Sequence, residues 1–133
     1  MTAALTYEGG LRTRMTHLKS GEVVITDAPT DNHGKGAAFS PTDLVATALA
    51  SCMLTTMGIK ANQLGINMDG ATAEVLKVMA SDPRRIAEVH VKLAMPDNNY
   101  SDKDKAVLEN TALTCPVAKS LHPDVVQHVE FSW

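Results

Sequence analysis

Aromatic residues are scarce in this chain of 133, which has one Trp, two Tyr and two Phe. Seven methionines stand in their place; a flexible thioether fills irregular core gaps that rings would otherwise fill. Cysteine is scarcer, with only Cys52 and Cys115. Two thiols 63 positions apart make no zinc motif, and the five histidines show neither HxH nor HExxH spacing. Basic residues are outnumbered, 12 Lys and Arg against 15 Asp and Glu. With its positive charges scattered, the chain has no electrostatic footprint for nucleic acid or an anionic membrane. No apolar run approaches the ~20 residues of a membrane span. The opening "MTAALTYEGG" has neither the basic nor the apolar region of a signal peptide. The expected location is the cytoplasm, where disulfides are rare and usually redox-active. Phosphate loops, nucleophile elbows and dinucleotide fingerprints are absent too.

What remains is a chain that is 44% hydrophobic, enough to build the core of a single domain over residues 1–133. "AALTYEGG" and "LRTRMTHL" read as two strands turning at Gly9-Gly10, and "GEVVITDAP" as a third. Residues 30–39 lack periodicity and form a loop. Ser40 then caps a helix that Pro41 opens and Gly65 ends. That helix, 41–64, measures roughly 36 Å. From Leu44 to Ile59 it is apolar or small on nearly every face. A helix hydrophobic all round is buried, and a chain this short would struggle to surround it. A homodimer sharing the burial is the economical expectation. Beyond it, 66–80 reads as a strand and "RRIAEVHVKLAM" alternates cleanly as another. Ser101 and Asp104 cap an amphipathic helix that Pro116 interrupts, "PVAKSL" is a short helix, and "DVVQHVEFSW" closes the chain as a strand. The order βββ-α-ββ-αα-β predicts an α+β domain with antiparallel sheet.

Cys115 has the more legible surroundings. It precedes Pro116 at a helix start, where free amides and the helix dipole favour a thiolate, and Lys119 lies one turn on. "CP" also opens ordinary buried helices, so a structural reading stands beside the functional one. Cys52 sits mid-helix, beyond the dipole's first turn. By itself it reads as a small core residue, made inert by burial. To act as a nucleophile it needs a cation supplied by the fold; Arg12, Arg14, Arg84 and Arg85 are candidates. Asp43 cannot serve Cys52 within one straight helix: it falls on the opposite face, about 13.5 Å away along the axis. Its plain role is capping. His122, seven residues past Cys115, lies ~10 Å away if the helix continues, too far for a Cys–His pair.

"SPTDLVATALASCM", followed by "CPVAKSL", resembles the OsmC/Ohr family of peroxide-reducing proteins. The order of elements agrees, and the likeness spans nearly the whole chain. The resemblance implies intertwined homodimers in which sheets from both chains wrap long central helices, with thiol-dependent active sites at the dimer interface. It implies that Cys52 is the peroxidatic cysteine and Cys115 the resolving one. It implies an organic hydroperoxide substrate and an external dithiol reductant, of the dihydrolipoyl type, with no bound cofactor or metal. It assigns thiolate activation to an arginine on the N-terminal strands, matched best by Arg12, with Arg14 as the fallback. In the Ohr branch a glutamate following the helix-opening proline pairs with that arginine. Here that place is Thr42, and the acid is Asp43, one position along. The chain looks closer to a divergent OsmC-like branch.

Three functions follow as expectations. The first is a cysteine peroxidase of oxidative or osmotic stress defence. The second is a module holding an apolar ligand in an interface pocket lined by Met53 and Met57. The third is a structural dimer whose cysteines are core residues.

Overall fold

The computed structural model describes all 133 residues, and its contacts divide the chain into two compact units, Met1–Val45 and Ala46–Trp133.

The first unit is a three-stranded antiparallel sheet in the order β1 (Ala3–Gly9), β2 (Arg12–His17), β3 (Val23–Asp27). The expected turn at Gly9-Gly10 forms, with a two-residue loop of Gly10 and Leu11, both at positive φ (60° and 63°). Paired positive φ matches the right-handed twist of the flanking strands; glycine accepts it freely, whereas Leu11 bears it as a strained exception. This turn sets Arg12 as the first residue of β2, opposite Asp27 at the end of β3. Every residue of β1 is exposed, including Leu5 and Tyr7.

Helix α1 spans Pro41–Leu64, the range its sequence predicts. Its start is a reciprocal capping box. The Asp43 amide donates to Ser40 Oγ (3.0 Å), and the Ser40 amide donates to the Asp43 carboxylate (2.9 Å). Two otherwise orphaned donors are thereby satisfied.

The second unit holds the core. Ala46, Leu49, Ala50, Met53, Met57 and Ala61 form one buried stripe of α1 at helical spacing. They pack in one cluster with Val89, Val91 and Leu93 of β5 (Arg85–Ala94) and with Leu108 and Ala112 of α2 (Asp102–Leu113). Val45, Ile59 and Leu64 of the helix stay exposed. A single chain therefore buries one stripe of α1 and not its whole circumference. By length and composition α1 could cross a membrane, with mean hydropathy 1.5. This corrects the expectation that no segment approaches a span. Scattered Thr, Ser and Gly break the apolar run without adding charge, and the core helix of a globular unit passes the same test.

β4 (Thr72–Ala80) pairs antiparallel with β5, as expected. The last pairing differs from expectation: β6 (Val126–Ser132) runs parallel to β5, with His90 opposite His128. The physical reason is the connection. α2 and α3 (Pro116–Ser120) form a crossover of the length parallel strands require. The α+β class stands, with two three-stranded sheets, one of them mixed.

Candidate active site

The two cysteines, far apart in sequence, meet in the core of the second unit. Cys52 is half-buried on α1 and packs against the cluster that contains Cys115. Cys115 is 1% exposed. Both thiols are free, and Cys52 lies near enough to Cys115 to influence its ionisation.

Cys115 caps α3. Its Sγ accepts from the Ala118 amide at 3.5 Å, and Pro116 occupies the first helical position. The sequence expectation was a thiolate favoured by that helix start. The outcome is the reverse: burial pushes the Cys115 thiol up, the amide bond from Ala118 only partly offsets this, and the neighbouring Cys52 sulfur raises it further. Desolvation disfavours the charged form more than one cap bond favours it. Cys115 therefore rests as a protonated thiol beside Cys52. That is the state suited to a partner which gives up its proton late, rather than to a first nucleophile.

The candidate cations have partners of their own. Arg12 makes a two-pronged pair with Asp27, Nε to Oδ1 at 2.7 Å and Nη2 to Oδ2 at 2.9 Å. Asp27 is 1% exposed, and its carboxylate also accepts from the Ala37 amide at 3.1 Å. The Arg12 hydrogen bond holds the Asp27 carboxyl below its usual range, outweighing the opposing effect of burial. A forked guanidinium–carboxylate pair fixes orientation as well as charge. Arg12 thus has a buried carboxylate partner in Asp27, which sequence reasoning missed. The signal was the hairpin register: once the turn between β2 and β3 is placed, Arg12 and Asp27 fall opposite each other.

Arg14 pairs with the Glu8 carboxylate at the surface of the first unit. Thr42 Oγ1 lies 3.2 Å from Ser40 Oγ, and Asp43 serves the capping box. Arg85 donates to the Ser81 and Pro83 carbonyls of its own turn. α3 ends at Ser120, and His122, well exposed, accepts from the Asp124 amide. Met53 and Met57, expected to line an interface pocket, are completely buried inside one chain. Their place on the inward stripe of α1 makes them core, which corrects that expectation.

Residues 33–130 match the family model described as OsmC-like protein. The chain belongs to the OsmC-like family. A crystal structure from Psychrobacter arcticus 273-4, provisionally described as an osmotic stress induced and detoxification response protein, is 57% identical. The match covers 98% of this chain and 95% of that one, with a TM-score of 0.94. The organic hydroperoxide resistance protein OsmC of Legionella pneumophila is 16% identical over 100% of this chain and 98% of that one, TM-score 0.78. The organic hydroperoxide resistance protein OhrB of Bacillus subtilis is 20% identical over 99% and 98%, TM-score 0.69. At such identities these last two show a shared fold. No curated protein sequence matches the chain.

Proposed function

We propose that this OsmC-like protein is a thiol-dependent peroxidase that reduces organic hydroperoxides in oxidative or osmotic stress defence. The observation that carries the reading is the adjacency of Cys52 and Cys115, two free thiols brought together across 63 positions of sequence.

In the proposed cycle the Cys52 thiolate attacks the terminal oxygen of the hydroperoxide. The O–O bond breaks, the alcohol leaves after taking a proton, and Cys52 becomes a sulfenic acid. The Cys115 thiol then attacks the Cys52 sulfur. Water leaves, carrying the sulfenic oxygen, and a disulfide forms. An external dithiol of the dihydrolipoyl class reduces it by two exchange steps and ends as its own disulfide. No bound cofactor takes part. The resemblance assigns Arg12, oriented by Asp27, the task of promoting the Cys52 thiolate, with Arg14 as the fallback. Homodimer formation belongs to the same proposal. The wholly exposed β1, together with Val23 and Val24 at 43% and 44% exposure, supports association with a second copy. Two reduced, neighbouring thiols also suit a cytoplasmic setting.

The test is peroxide-dependent loss of free thiols, with cumene hydroperoxide as probe, in wild type, Cys52→Ser and Cys115→Ser. Wild type should lose both thiols and form one intrachain disulfide. Cys115→Ser should stop at sulfenic acid on Cys52, trapped by a dimedone-type reagent. Turnover by Cys52→Ser at the wild-type rate would refute the mechanism.

A further inference from the structure

On the second sheet, the face opposite Val89, Val91 and Leu93 gathers three potential metal ligands. Glu88 and His90 lie two apart on β5 and so share a face. The parallel register sets His128 of β6 beside His90. The two rings stack with centroids 4.3 Å apart. Both present Nε2 to the same oxygen, Glu88 Oε2, at 2.6 Å from His90 and 3.5 Å from His128. One donor atom from each residue lies within 4.8 Å of the others.

We propose that Glu88, His90 and His128 form a divalent transition-metal site of the zinc class, separate from the thiol pair. Two imidazole nitrogens and a carboxylate are a donor set that suits zinc and its neighbours and leaves coordination positions open. Metal–ligand bonds of ~2.0–2.2 Å place tetrahedral donors roughly 3.3 Å apart. Reaching that geometry needs Glu88 and His90 to open by well under 1 Å, Glu88 and His128 to close by a few tenths, and the two imidazole donors to close from a separation within 4.8 Å. All three side chains keep a third or more of their surface exposed, so an ion can enter without unfolding the sheet. His90 also borders an open groove of about 430 Å³ with Glu74, Leu76, Lys92 and Glu130. The open positions of the ion would therefore face a recess lined by two carboxylates and one lysine.

Thiols are zinc ligands in general, so the test uses the Cys52→Ser/Cys115→Ser double variant as background. After chelator treatment, Zn²⁺ is titrated by isothermal calorimetry at neutral pH, and Co²⁺ binding is followed by its visible absorption. The background should take one equivalent of Zn²⁺, and its Co²⁺ form should show d–d bands of a nitrogen–oxygen site. Adding His128→Ala or Glu88→Gln should weaken Zn²⁺ binding by about ten-fold or more, with the thermal melt before metal addition unchanged. Adding His17→Ala, at an exposed histidine on the other sheet, should leave affinity unchanged. No saturable binding in the background, or equal affinity after His128→Ala and Glu88→Gln, would overturn the proposal.

Discussion

Cys115 is expected to be the slow thiol of the pair, and its rate can be bounded from its surroundings. In Cys52→Ser it is the only thiol. An ordinary cysteine at pH 7 is about 3% thiolate. Burial works to hold Cys115 below that fraction, against the Ala118 and Val117 amide bonds that favour the thiolate. It is also 1% exposed, so a reagent the size of iodoacetamide reaches it only through local opening. An opening that costs even 1.4 kcal/mol lowers the rate about ten-fold. The two effects multiply. Alkylation of Cys115 in folded Cys52→Ser should therefore be at least about ten-fold slower than in the same protein unfolded by guanidinium at the same pH. The assay is timed quenching followed by intact-mass spectrometry. In Cys115→Ser, the half-buried Cys52 should react faster than Cys115 does in Cys52→Ser. If folded and unfolded Cys115 react alike, the thiol is accessible and ionisable. The assignment of Cys115 as the late partner then fails.

Other expectations concern the Arg12–Asp27 clamp and the core. Asp27 has a depressed folded pKa, so its stabilisation is full above the unfolded carboxyl value of about 3.9 and fades as pH falls through the folded value. Urea unfolding of wild type and Asp27→Asn should differ most near pH 7 and converge towards pH 2; a gap independent of pH would refute the linkage. A Cβ on Gly34 would lie 1.7 Å from the Ala28 carbonyl oxygen. Gly34→Ala should thus displace the residue after Asp27, lower the melting temperature and reduce the peroxidase rate if Arg12 serves the reaction. Leu108, fully buried on α2, should cost about 2–5 kcal/mol when changed to Ala, read from urea midpoints at constant m.

Local chemistry made much of this protein legible from sequence. Ser40, Pro41, Asp43 and Gly65 mark the bounds of α1 because caps and breakers act over a few residues, and the helix found is the one they predict. Alternation in 85–94 identified the inward Val89, Val91 and Leu93 because strand side chains switch faces at every residue. The start of α3 at Pro116, with Cys115 as its cap, is likewise local. Tertiary structure decided what depends on register and burial. The parallel β5–β6 pairing brought His128 to His90 and Glu88, and no spacing within one strand could show it. The β2–β3 register gave Arg12 its carboxylate in Asp27, where helix-start comparison pointed to Thr42 and Asp43. Packing turned Met53 and Met57 inward and reversed the expectation for the Cys115 thiol. A cap bond can be read from neighbours in sequence, whereas the desolvation that outweighs it comes from atoms far along the chain.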